Sequence, residues 1–376
     1  MKILNLGFCF FFFFFFLLSF GTAAAQSGFP KIELPNVKRF GFFIFGDSYV
    51  DGGNNNYMIN ATSDCRANFP PYGETFFHIP TGRFCDGRII PDFLEMPFIK
   101  AYLDPNNNNY MNGVNFASGG AGVLAETNQE TAIGLQTQMK FLKNVEKSLR
   151  KKLGNETSQS FLSNSVFLFN FGGNDYIKPF DISYDILKTI NAQQQLVNMV
   201  IGNMTIALKK VYNYGGRKFG ILGLPPTGYL PSSRLKRSEQ FFQETSSIAR
   251  IHNKMFYIAL QKLAKQLQGF KYAFADTHTF LLQRILNPTK YGFKVVDTAC
   301  CGSEEFRGYY NCGRKKGPIP FTHCKNLQDY LFYDSYHPTE KTYQQLAKLI
   351  WSGSVEIVRP YNFKQLFQSD STLASH

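Results

Sequence analysis

A serine, a histidine and an aspartate in this chain are spaced so that a proton could pass among them. Ser48 closes the triplet Gly46-Asp47-Ser48 just after an apolar run, and Asp51-Gly52-Gly53-Asn54-Asn55 follows. A serine on a tight turn between strand and helix is exposed, and nearby helix-start amides favour negative charge. The triplet alone says little, because at average composition it arises by chance in about one chain in ten of this length. Far downstream, Asp334-Ser335-Tyr336-His337-Pro338 sets a carboxylate three positions before an imidazole. One turn of backbone then brings Asp334 to one ring nitrogen of His337 and leaves the other free to take a proton from Ser48. Taken singly, Asp334 reads as a turn residue and His337 as a satisfied loop histidine. Together with Ser48 they describe nucleophilic catalysis.

Such a nucleophile needs donors for an oxyanion. The run from Gly113 to Gly122 (Gly-Val-Asn-Phe-Ala-Ser-Gly-Gly-Ala-Gly) offers amides unobstructed by side chains, and Gly172-Gly173-Asn174-Asp175 offers a side-chain amide. Donors of this kind are worth about 10²–10³ in rate each. Their plainer reading is tight turns and an asparagine in a left-handed conformation.

Something must hold these segments. Phe40–Phe45, Val166–Phe171, Phe219–Leu222 and Tyr272–Ala275 are short apolar runs without clean alternation, as in parallel strands covered on both faces. Between them the spacing turns helical, over Leu135–Leu153, Asp185–Tyr214 and Glu244–Leu267. Thr339-Glu340 opens a last helix through about Trp351, with Pro338 just ahead of it. Strand and helix in repetition imply a doubly wound α/β domain, whose sites lie beyond the carboxyl ends of the strands. Asn106–Asn109 and Cys300–Phe321 read as loops inside one domain spanning residues 26–376, with its core at about residues 38–360.

The N-terminus concerns route. Lys2, the apolar run Ile3–Phe20 and the exit Ala23-Ala24-Ala25 describe a signal peptide over residues 1–25, although the run is also about long enough to span a bilayer. Nine of the 40 Phe fall in the first twenty residues, so this run accounts for much of the aromatic excess. The predicted location is extracellular, in the apoplast or cell wall. The net charge of +13 becomes +12 without Lys2, which suits an anionic cell-wall polymer or membrane surface. Export and the lack of any zinc-finger, RNA-recognition or basic-zipper pattern argue against nucleic acid. Six cysteines remain after the leader: Cys65, Cys85, Cys300, Cys301, Cys312 and Cys324. In an oxidising compartment their even number favours disulfides, with fifteen possible connectivities. Asn60, Asn155 and Asn203 head glycosylation acceptor triplets. Cys300, Cys301, Cys312, His323 and Cys324 lack the paired spacing of a zinc site. The lack of GxSxG argues against the α/β-hydrolase fold, and with HExxH and a Walker loop also missing no metal or cofactor is expected.

The four chemical segments, in this order, resemble the plant GDSL esterase/lipase family of the SGNH hydrolase superfamily. GDSxxDxGNN matches the stretch ending at Asn55, NFASGGAG matches Asn115–Gly122, GxND matches Gly172–Asp175 and DxxHPTE matches Asp334–Glu340. Phe69-Pro-Pro-Tyr-Gly, Thr81-Gly-Arg-Phe and Gly223-Leu-Pro-Pro are similar to family segments too, so the resemblance spans the chain beyond the leader. It implies a three-layer α/β/α, flavodoxin-like fold with a central, mostly parallel sheet. It also implies Ser48 as nucleophile, His337 as base and Asp334 as its partner, with the Ser48 amide, Gly119 and Asn174 as the oxyanion hole. The activity implied is hydrolysis of lipid or other acyl esters by a secreted enzyme. The same serine could serve an acyltransferase with an alcohol acceptor, and the same scaffold an idle binding or defence protein. Three features depart from the family pattern. Tyr49 stands where the family has Leu, which implies altered packing. Tyr229 stands where many members have Cys, which implies one disulfide fewer. The stretch Asp92–Pro105 is shorter than usual, between two site segments.

Overall fold

The structure is a computed structural model describing residues 40–182, 189–236, 239–314 and 319–369. The predicted signal peptide, residues 1–25, lies outside the described residues. Six strands make the central sheet: β1 (Phe42–Gly46), β2 (Gly113–Asn115), β3 (Val166–Asn170), β4 (Lys218–Leu222), β5 (Lys271–Ala275) and β6 (Val358–Pro360). Their order is β6-β5-β4-β3-β1-β2, and only the β5–β6 pairing is antiparallel. The principal helices are α1 (Leu135–Leu153), α2 (Gly173–Ile182), α3 (Ile190–Asn213), α4 (Glu239–Gln266), α5 (Thr277–Leu286), α6 (Glu340–Ser352) and α7 (Phe363–Gln368).

Alternation along each strand divides the interior into two cores. Phe43 and Phe45 on β1 are in register with Phe167 and Phe169 on β3, and these rings stack pairwise with centroids 5.1 and 4.7 Å apart. They share a core with Leu142 of α1, Val200 of α3 and Leu260 of α4. Phe42, Ile44, Val166 and Leu168 point the other way, toward Phe280 of α5, Leu346 of α6 and Phe363 of α7. Each fully buried Phe contributes about 1.5–3 kcal/mol relative to exposure, so the phenylalanine richness serves a two-sided sheet. Helices on both faces make the three-layer α/β/α fold that the sequence resemblance implies.

The four apolar runs became β1, β3, β4 and β5, and α1 has the bounds its periodicity predicts. The helix expected from Asp185 starts at Ile190, where Thr189 caps it by accepting the Ala192 amide; residues 183–188 lie outside the described residues. The strands β2 and β6 escaped the reading, since each has three residues and one carries Pro360. Parallel order β2-β1-β3-β4-β5 reverses direction between β1 and β3, which opens a crevice at their carboxyl ends. Ser48 lies just beyond β1 and Asn174 just beyond β3.

Gly220 on β4 lies under Phe363, and a Cβ there would sit 2.4 Å from that ring. Gly220→Ala is therefore expected to destabilise the fold by about 1–3 kcal/mol through overpacking. Urea unfolding that returned an unchanged midpoint would contradict this arrangement.

Candidate active site

The chain leaves β1 through a turn that only glycine fits. A Cβ on Gly46 would lie 2.5 Å from Val50 and 2.7 Å from the Asn170 carbonyl. Gln138 of α1 grips Gly46 from both sides, accepting its amide at 3.0 Å and donating to its carbonyl at 2.8 Å. Asp47 then bridges the two strand ends: its Oδ1 accepts the Tyr49 amide at 3.1 Å and the Asn170 side chain at 2.8 Å. Ser48, between them, points its hydroxyl at His337, with Oγ 2.8 Å from Nε2.

His337 reaches this position from the loop after the short strand Tyr330–Phe332, which closes when the Tyr333 amide donates to the His337 carbonyl at 2.7 Å. Its Nδ1 lies 2.7 and 2.9 Å from the two oxygens of Asp334. Asp334 also accepts the amides of Tyr336 and His337 and the hydroxyl of Tyr72, at 2.9, 2.8 and 2.7 Å. Burial alone would raise the Asp334 carboxyl, but attraction to His337 and these donors outweigh it and hold the group below its ordinary value. The Phe84 ring covers the imidazole with centroids 5.0 Å apart. Ser48, 289 positions before His337, thus joins the Asp334–His337 pair in one line of hydrogen bonds.

Two further aspartates order the donor segments. Asp51 accepts the amides of Gly53 and Asn54 through one oxygen and that of Gly119 through the other, at 2.7, 2.9 and 2.8 Å. Asp175 accepts the amides of Val123 and Leu124 and the Thr127 hydroxyl. Burial raises each carboxyl to about 6 despite these bonds. Asn174 donates to the Ala121 carbonyl at 3.0 Å, and since an amide NH₂ carries two hydrogens, one is left for the cavity it lines. The Gly119 amide, expected to face an oxyanion, donates to Asp51 Oδ2 in this structure. The neighbouring Gly120 lines the cavity instead, and its amide has no acceptor among the described residues.

These groups open on a cavity of about 400 Å³, walled chiefly by Phe84, Ile177, Leu224, Pro225, Leu230, Tyr310 and Tyr336. That size and apolar character suit a small organic ligand with a few fixed polar groups. No residue of the short stretch 92–105 is on this wall. Tyr310 comes from a loop stapled by Cys301–Cys312 and Cys300–Cys324, and the Arg314 guanidinium lies 4.2 Å over its ring. Cys65 and Cys85 are buried and free, so the even cysteine count yields two bridges rather than three. Cys300, His323 and Cys324 do cluster, yet both sulfurs are in one disulfide, and His323 Nε2 meets Glu74 at 2.7 Å.

A family model, GDSL-like lipase/acylhydrolase, matches residues 42–350. The chain belongs to this family. It is 46% identical over 332 residues to GDSL esterase/lipase 3 of Arabidopsis thaliana, covering 87% of this chain and 89% of that one. It is 45% identical over 331 residues to a GDSL lipase of Tanacetum cinerariifolium, covering 87% of each. GDSL esterase/lipase 1 of Arabidopsis thaliana is 45% identical over 336 residues, covering 87% and 89%. As a GDSL family member the chain is a carboxylic ester hydrolase. Among the described residues, no helix is long and apolar enough to cross a membrane.

Tyr72, Gln138, Asp51 and Asp175 were missed as supporting residues. Three of them belong to segments the family resemblance rests on; Gln138 shows in the sequence only as a polar residue beside α1's apolar stripe. Asp47 carries the pH consequence. Burial pushes its carboxyl from 3.8 to about 7, against the Tyr49 amide and attraction to His337. The folded value exceeds the unfolded one, so this group's contribution is full below about pH 4 and is lost as pH rises toward about 7. Asp47→Asn is expected to flatten the decline of melting temperature across that window, and an unchanged slope would contradict the assignment.

Proposed function

We propose that the chain is a secreted serine esterase or lipase that works through an acyl-enzyme on Ser48. The observation carrying this is the 2.8 Å approach of Ser48 Oγ to His337 Nε2 at the wall of an apolar cavity. His337 takes the serine proton as the hydroxyl attacks the ester carbonyl. The imidazolium is stabilised by Asp334, then protonates the leaving alcohol. The carbonyl oxygen becomes an oxyanion held by the amides of Ser48 and Gly120 and the side chain of Asn174. Water, activated by His337, releases the acid. An added alcohol could replace water in that step, which would make the product a new ester.

Secretion is supported by the leader-like residues 1–25 and by the disulfide pairs. Asn60 and Asn155 are exposed and available to glycosylation, whereas Asn203 is half-buried inside α3 and bonded to the Met199 carbonyl. The excess of Lys and Arg would hold the protein near anionic wall polymers or membrane surfaces, where lipid esters are found.

Ester turnover by the purified protein tests this. Ser48→Ala is expected to reduce kcat by at least about 10³, and Asn174→Ala by about 10²–10³, with KM little changed. Melting temperatures should stay within a few degrees of wild type. Turnover in Ser48→Ala equal to wild type would overturn the mechanism.

A further inference from the structure

Tyr49 takes no part in the proton transfers, yet it is the residue next to the nucleophile and the one that departs from the family's Leu. Its hydroxyl donates to the Tyr336 carbonyl at 2.8 Å. Its ring meets Tyr343 edge-on at 5.9 Å and lies 5.7 Å from the His337 ring. The side chain is thereby pinned on both ends.

Tyr49 borders two spaces. On one side Tyr49 lines the cavity of about 400 Å³; on the other it lines a second hollow of about 20 Å³. That hollow is lined mainly by apolar side chains, Ile90, Leu222, Phe280, Leu281 and Leu346 among them, together with Thr277, Thr342 and Tyr343. Asn170 and Pro225 border both spaces as well. Asn170 is tied to Asp47, and the Pro225 ring is fused to its backbone, so neither can be shortened out of the way as Tyr49 can. A leucine at position 49 would remove the aromatic ring and its hydroxyl and let the two spaces join.

We propose that Tyr49 is the end wall that limits the length of the straight apolar chain this enzyme accepts. The inference rests on the ester-hydrolase reading of the same cavity. A chain that reaches the ring has nowhere further to go. With the wall removed, each added methylene that seats in the hollow should raise kcat/KM about fourfold until the space is filled, since burying a methylene is worth roughly 0.8 kcal/mol.

The chain could be that of the acid or that of the alcohol, so two ester series are needed. One runs from acetyl to dodecanoyl esters of p-nitrophenol, the other from ethyl to dodecyl acetate. In Tyr49→Leu, the optimum of one series is expected to move to longer chains, with about a fourfold gain for the first newly seated methylene. Tyr49→Phe keeps the ring but loses the bond to Tyr336; it should retain the wild-type optimum even where overall turnover falls. Tyr49→Met, slim and unbranched, is carried alongside in case the leucine variant does not fold, and should shift the optimum in the same direction. An unchanged optimum in both series for a folded Leu or Met variant would overturn the proposal. So would a Phe variant that shifts as the Leu variant does. If wild-type turnover did not depend on Ser48, the hydrolase reading itself would fail. Ser48-dependent turnover with an unmoved optimum would remove only the end wall.

Discussion

Buried irregular backbone has to find acceptors for its N–H groups, and in this molecule aspartates supply them. Three of the loops that reach the cavity carry one residue aimed at it and an aspartate close by in sequence. Asp47 and Asp51 flank Ser48, Asp175 follows Asn174, and Asp334 precedes His337. Their carboxylates accept the amides of Tyr49, Gly53, Asn54, Gly119, Val123, Leu124, Tyr336 and His337. The loops are thus held by short charge-bearing acceptors where no strand or helix could hold them. The cost is visible in the carboxyls at about 6 and about 7, which burial disfavours as anions. Of these four only Asp334 is held below its ordinary value, because its carboxylate is the one hydrogen-bonded to the imidazole.

The sheet beneath sets where these loops meet. β1 and β3 pair in register through stacked phenylalanines, and the strand order reverses between them. Ser48 and Asn174 therefore emerge side by side, and the loop carrying His337 closes over them with Tyr72 and Phe84 behind it. Rigid aromatic packing below and carboxylate anchoring above both serve the same end, a site whose donors are in position before a substrate arrives.

Much of this was legible in the chain. The four buried strands and α1 follow from apolar runs and three-to-four spacing, because tertiary burial there agrees with local pattern. The proximity of Ser48, Asp334 and His337 was readable from residue type and from the spacing of Asp334 and His337. Which of the two glycine amides is free was not, since Gly119 and Gly120 are the same residue type and only the Asp51 bond tells them apart. Cys65 and Cys85 were likewise opaque: count and compartment favour pairing, but the fold leaves both buried and unbridged. The three-residue strands have too few side chains to carry a period, and the edge strand β6 bears a proline. Tyr49 was visible as a departure, but the second hollow behind it exists only in three dimensions.

The central claim is that Ser48 is the nucleophile, and covalent labelling tests it most directly. The full-length protein would be treated with an alkyl fluorophosphonate, its intact mass measured, and the labelled peptide sequenced. One phosphonyl group per chain, on Ser48 and suppressed by a competing ester, is the result this account predicts. No adduct, or an adduct on another residue with Ser48 unmodified, would contradict it.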